Sequence, residues 1–139
     1  MRKRGPGPPP GPRGTGRARR DRRVLRRGGE GVAADLNRVV GGWFGVRITP
    51  MFGRFGYFVG EDLFACYPIR PRDRDLWVRL SRGDQARALA TPGVRPHRRF
   101  AGRGWIECDV EDPETVSRAI RWLRRGYELA TRAPADDAP

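Results

Sequence analysis

The distribution of apolar side chains constrains this chain more than any single motif does. Residues 1–31 contain only Met1, Ala18, Val24 and Leu25 as apolar side chains, set among eight glycines and five prolines. Such a segment cannot bury enough surface to offset the entropy of ordering it, so 1–31 is expected to be a disordered Arg/Gly/Pro-rich tail. From Val32 onward the apolar residues recur regularly, and 32–131 is long enough to enclose one modest core. Residues 132–139 read as a second disordered end.

Charge divides along the same line. Of the net +13, the tail holds +9 and the remainder +4. Arg17, Arg19, Arg20, Arg22, Arg23, Arg26 and Arg27 place seven cations in eleven residues. A block of this kind binds phosphates with steep salt dependence and no sequence preference. Two compositional explanations compete with that role. Every basic residue except Lys3 is arginine, as a GC-rich coding sequence would produce, and a translation start assigned too far upstream would add foreign residues.

Cys66 and Cys108 lie in apolar runs with no CxxC or Cys/His spacing, and His97 is the sole histidine. Reduced, buried, inert thiols are expected, with no metal site and no cofactor. No apolar run approaches the ~20 residues that a membrane-spanning helix needs. Arg19-Arg20 and Arg22-Arg23 are followed by no apolar segment of the kind an export signal requires, so a cytoplasmic protein is expected.

Periodicity places the elements. Val32, Leu36, Val39 and Val40 share one face of a helix over 30–41, which Gly41-Gly42 ends. Val46, Ile48, Pro50 and Phe52 then alternate with Arg47, Thr49 and Met51 as a strand, and Pro50 assigns that strand to an edge or a bulge. Gly53 and Gly56 bracket a reversal into strands at 55–59 and 63–67, and a polar loop over 68–74 leads to a fourth strand carrying Leu76, Val78 and Leu80. Ser81-Arg82-Gly83-Asp84 caps a short helix reaching Ala90. Val94–Phe100 and Trp105–Val110 form the last two strands. Asp112-Pro113-Glu114 opens a final helix on which Val116, Ala119, Ile120, Leu123, Tyr127 and Ala130 share a face. Gly126 weakens that helix by about 1 kcal/mol, so close packing is expected there. The fold class is α+β, order α-ββββ-α-ββ-α: an antiparallel sheet of about six strands with helices on one face.

Five stretches in this order resemble one known family. They are Met51-Phe52-Gly53-Arg54-Phe55-Gly56 continuing to Ala65, Asp75–Leu80, Pro92-Gly93-Val94-Arg95-Pro96, Phe100-Ala101-Gly102-Arg103, and Arg121-Trp122-Leu123-Arg124-Arg125-Gly126. Together they resemble the N-terminal domain of the bacterial TfoX/Sxy family over about residues 32–131. Met51, Phe52, Gly53, Gly56, Pro96, Gly102, Trp122 and Gly126 match its motif positions, to which the resemblance attaches a structural role. Arg54 stands where the family has a second glycine, and the 68–74 loop is longer than the family's. The resemblance implies a small α+β regulatory domain. The chain is too short to hold the C-terminal domain of the competence regulators, which act with the cyclic AMP receptor protein.

The remaining chemical signals have plain readings. Asp73 and Asp75, or Glu107, Asp109 and Glu111, read as solvated sheet surface paired to arginines rather than as acid–base or metal groups. Ser81 and Ser117 have no activating partner. Gly53-x-x-Gly56 reads as a turn device. His97, Arg98, Arg99, Arg103 and Trp105 suggest either a surface that stacks single-stranded nucleic acid or a solvated hairpin with Trp105 in the core. Phe52, Phe55, Tyr57, Phe58 and Phe64 read as core and cross-strand pairs. The sequence therefore leads to a non-enzymatic regulatory module with a protein partner. The alternative is an accessory protein holding nucleic acid non-specifically through its tail.

Overall fold

A computed structural model describes residues 28–132 of the chain. The arginine block from Arg17 to Arg27 and the end beyond Arg132 lie outside the described residues. The elements are α1 (Gly28–Gly41), β1 (Val46–Met51), β2 (Arg54–Val59), β3 (Asp62–Pro68), β4 (Asp75–Arg79), α2 (Arg82–Leu89), β5 (Val94–Pro96), a 3-10 turn (Ala101–Arg103), β6 (Trp105–Asp109) and α3 (Pro113–Thr131). This is the α+β order read from periodicity. Helix α1 starts at Gly28, so the last four residues of the expected 1–31 tail belong to it.

The six strands form one antiparallel sheet in the order β1-β2-β3-β4-β6-β5. Pro50 lies on the β1 edge, where its missing N–H costs no ladder bond. All three helices pack on one face. Leu36 and Val40 of α1, Tyr57, Phe64, Leu76, Val78 and Ile106 of the sheet, and Leu123 of α3 are wholly buried between the layers. Burying a Leu or Val side chain contributes about 1.5–3 kcal/mol, so this layer dominates stability.

Two local devices fit α3 to the sheet. The β2–β3 register shifts so that Tyr57 opposes Ala65 while Phe58 opposes Leu63, leaving Phe64 as a bulged residue. Its ring lies 5.9 Å from that of Tyr127. Immediately before Tyr127, Gly126 meets the sheet so closely that a Cβ there would stand 2.9 Å from Val78 Cγ1 and 3.0 Å from the Arg79 carbonyl oxygen. The close packing expected at Gly126 is present. The phenols of Tyr57, Tyr67 and Tyr127 donate to Asn37 Oδ1 (2.7 Å) and to the Val110 and Phe44 carbonyls (2.6 Å each), so their burial leaves no orphan donor.

Both expected helix starts are observed. Ser81 accepts from the Asp84 amide, and Asp112 forms a reciprocal cap with Thr115 ahead of Pro113. Asp84 is buried and ties α2 to α3 through Arg125, whose Nε lies 2.9 Å from Asp84 Oδ2.

Several local readings change. The strand expected over Val94–Phe100 ends at Pro96, because His97 Nδ1 accepts the amide hydrogens of Arg99 and Phe100 at 3.0 Å and folds the chain into a turn. Gly56 lies inside β2 and makes no part of the turn. A Cβ there would come within 2.7 Å of Met51 Sδ. Among the described residues, no helix is long and apolar enough to cross a membrane.

Candidate interaction surface

The face of the sheet opposite the helices carries the chemistry. Period-two alternation sends Arg54 from β2, Cys66 from β3, Asp75 and Trp77 from β4, Glu107 and Asp109 from β6, and Arg95 from β5 to this side. The Arg54 guanidinium lies 3.8 Å from the centre of the Trp77 ring. It donates to the Asp75 carbonyl, to Cys66 Sγ (3.2 Å) and, more weakly, to Asp75 Oδ2 (3.4 Å). The Trp77 indole N–H donates to the same Oδ2 at 2.9 Å. One arginine thereby ties β2 to β3 and β4 across the open face.

Glu107 organises the neighbouring strands. It is 2% exposed, and Arg98 reaches it through Nε at 3.0 Å, Nη2 at 3.1 Å and its own amide at 3.0 Å. Arg95 Nε adds a contact at 3.2 Å. Burial alone would raise this carboxyl, but the Arg98 hydrogen bonds and the charges of Arg98 and Arg95 outweigh it and hold Glu107 at about 2. The expected arginine pairing is thus present, but Glu107 is buried rather than solvated. Asp109 is exposed and pairs with Arg95, while Glu111 lies beyond the strand and pairs with Arg74. Asp75 is paired with Arg54, as expected, while Asp73 lies off the sheet in the exposed β3–β4 loop.

His97 is also buried, at 3% exposure, against Trp77 (ring centres 4.3 Å), Phe100 (5.1 Å) and Trp105 (6.3 Å). Burial lowers its pKa, with Arg98, Arg54 and Arg99 acting in the same direction against Glu107. Because Nδ1 accepts two amide hydrogens, the neutral ring carries its proton on Nε2. The solvated hairpin expected here is therefore a packed one. Trp105 lies half-buried on the open face rather than in the core. Trp77 is already covered by Arg54 and His97, so it offers no free face for stacking a base.

One end of the sheet departs from this pattern of paired charges. The two-residue connection between β1 and β2 is Phe52-Gly53, flanked by the Met51–Arg54 pair. Both residues have positive φ, +50° and +77°, which defines a type I′ turn. Such turns favour Asn or Gly at the first position, since a bulky side chain there crowds the backbone. The β2–β3 hairpin does use glycine for its positive φ, at Gly60. Phe52 is 95% exposed, which corrects its assignment to the core. The tip is nonetheless firmly held. The Ile69 amide donates to the Gly53 carbonyl at 3.0 Å, and Arg54 anchors the next residue on Trp77 and Asp75. Ile69 is itself 39% exposed, and Arg70 and Arg72 follow it on the exposed loop.

The family-motif positions separate in space. Met51, Phe52 and Gly53 meet at this tip, whereas Pro96 ends β5, Gly102 lies in the 3-10 turn, and Trp122 and Gly126 face inward from α3. Sequence reasoning missed the Arg54–Trp77 stack and the buried His97. The placement of Trp77 opposite Leu76 and Val78 was the available signal. Both thiols are free and buried, as expected, on opposite sides of the sheet. Among the described residues, no three His, Cys, Asp or Glu side chains gather in a group suited to a metal ion.

No protein-family model and no curated protein matches the chain. Its fold is shared with a solved structure, protein DR2400 of Deinococcus radiodurans, which contains a domain described as DUF419. The two superpose with a TM-score of 0.57 at 19% identity, over 71% of this chain and 78% of that one. At that identity the likeness establishes the fold.

Proposed function

We propose that the chain is a non-enzymatic, TfoX N-terminal-like regulatory module, cytoplasmic, which binds a protein partner through the β1–β2 tip. The observation that carries this reading is Phe52, an aromatic ring almost fully exposed on a left-handed residue of a pinned turn. Left-handed non-glycine residues cost about 1–3 kcal/mol and are retained where the local shape matters for function. An aromatic side chain held rigidly before binding loses little entropy on docking, which is how interface anchors gain their effect. With Ile69 beside it and Arg70 and Arg72 beyond, the complementary surface is an apolar socket with an acidic rim.

The decisive variant is Phe52→Asn, which installs the residue that the turn prefers. Thermal or urea unfolding is expected to show a gain of about 1 kcal/mol. Capture of the partner by the immobilised full chain from the source cell is expected to fall tenfold or more. A more stable variant that captures the same protein equally well would remove the tip from function. Reproducible turnover of any substrate would remove the non-enzymatic reading.

The second reading rests on the seven tail arginines. It predicts that DNA binding falls steeply with salt for the full chain and vanishes when residues 1–27 are removed, leaving α1 intact. Salt-independent binding, or binding that survives the truncation, would dismiss it.

A further inference from the structure

A groove of about 750 Å³ opens on the helix side of the sheet, between the α2–β5 turn and the first half of α3. Its origin is geometric. Helix α3 lies across β2, β3 and β4, and α2 spans only eight residues, so the ends of β5 and β6 are left partly uncovered. Val94, Cys108, Ala119 and Trp122 form an apolar floor. Burial pushes the Cys108 thiol up to about 12, so the floor is uncharged.

Arg95, Arg118 and Arg121 line the rim together with one carboxylate, Asp109, and the three cations are unevenly committed. Arg95 is engaged by Glu107 and Asp109, and Arg118 by Glu114. Arg121 lies 4.7 Å over the Trp122 ring, and among the described residues no carboxylate pairs with it. Thr91 and Ser117 add hydroxyls to the rim. The volume falls in the range of small-molecule sites, about 300–1,000 Å³, which combine an apolar lining with a few placed polar groups. A guanidinium that already stacks on an indole keeps its forked N–H edge for a carboxylate, sulfonate or phosphate.

We propose that this groove binds a small organic anion, its apolar body on Val94, Cys108 and Trp122 and its anionic group on Arg121. The site lies at the β5 edge, four strands from the Phe52 tip, and is independent of the partner reading.

The test titrates the ¹⁵N-labelled full chain with 1-anilinonaphthalene-8-sulfonate and follows the Trp122 indole N–H resonance. A neutral analogue, N-phenyl-1-naphthylamine, serves as the comparison. Saturable movement of Trp122 is expected, with Trp77 on the opposite face unmoved. Arg121→Glu, an exposed change on α3, should weaken the sulfonate tenfold or more while leaving the neutral analogue within twofold. Ser117→Trp, which fills the groove mouth, should weaken both tenfold or more. A Trp122 resonance that does not move, or sulfonate binding unchanged in both variants, overturns the proposal. Equal loss of both ligands in Arg121→Glu would show that the anion is not recognised, and overturns it as well.

Discussion

On the helix-covered face of the sheet, Phe64 and Val78 pack against α3, and Gly126 is the contact point that leaves no room for a side chain. On the opposite face Arg54, Trp77, Glu107 and Arg98 hold the same strands through cation–aromatic stacking and charged hydrogen bonds. The first face depends mainly on volume, its one buried ion pair among the described residues being Asp84 with Arg125. The second depends on protonation state, and its outer pairs also on ionic strength. Strands β4 and β6 belong to both, so each face can be disturbed while the other reports.

The largest effect should come from volume. Gly126→Leu drives a branched side chain into Val78 and the Arg79 carbonyl and is expected to cost about 3 kcal/mol, read by urea unfolding. That loss should be the same at pH 4 and pH 8. Glu107→Ala attacks the charged face and is expected to cost about 2 kcal/mol, below the full penalty for a buried pair because Arg95 and Arg98 remain partly exposed and can turn to water.

Acid separates the faces further. The native Glu107 carboxyl titrates near 2, against about 4.3 in an unfolded chain, so its stabilisation is complete above that unfolded value and is lost as pH falls toward 2. His97 acts in the same direction at a higher window. Its native pKa is lowered, so stability is full above about pH 6.5 and declines below it as the unfolded state takes up the proton. Urea unfolding against pH should show both declines. His97→Gln should remove the upper one, and Glu107→Ala should reduce the lower one, leaving the part owed to Asp84 and Asp112, whose carboxyls are also held low by their hydrogen-bond partners. An upper decline that persisted in His97→Gln would take that acid sensitivity away from the open face.

Arg54→Met keeps the stem of the side chain but removes its charge from the Trp77 ring and Asp75. It is expected to cost about 1 kcal/mol and to loosen the β1–β2 tip, seen as faster amide exchange at Gly53 and Ile69. The smallest expected effect is on the thiols. Burial raises both, Cys108 to about 12, so neither should react with a thiol reagent at neutral pH unless the chain is unfolded first.

Much of the fold was legible because it depends on local signals. Leu36 and Val40 repeat at helical spacing, Asp112-Pro113 is a helix start wherever it occurs, and Pro50 can be accommodated only where no neighbour needs its N–H. Even Gly126 announced a close approach, being too unfavourable in a helix to be there otherwise. The candidate surface was less legible. Phe52 fits the alternation of β1 and so reads as core, but the strand stops one residue earlier, and the turn lifts the ring into solvent.

What the sequence determined by itself is the order of the elements and the identity of most of the helix-covered core. These follow from period, capping and turn chemistry, which act over a few residues. Only the tertiary structure decided that Glu107 and His97 are buried, that Arg54 covers Trp77, and that α3 leaves a groove beside β5. Those outcomes depend on strand register, on the Phe64 bulge and on how far a helix reaches across a sheet. They are set by residues distant in the chain, as in Arg54 and Trp77, 23 positions apart, and no local pattern encodes them.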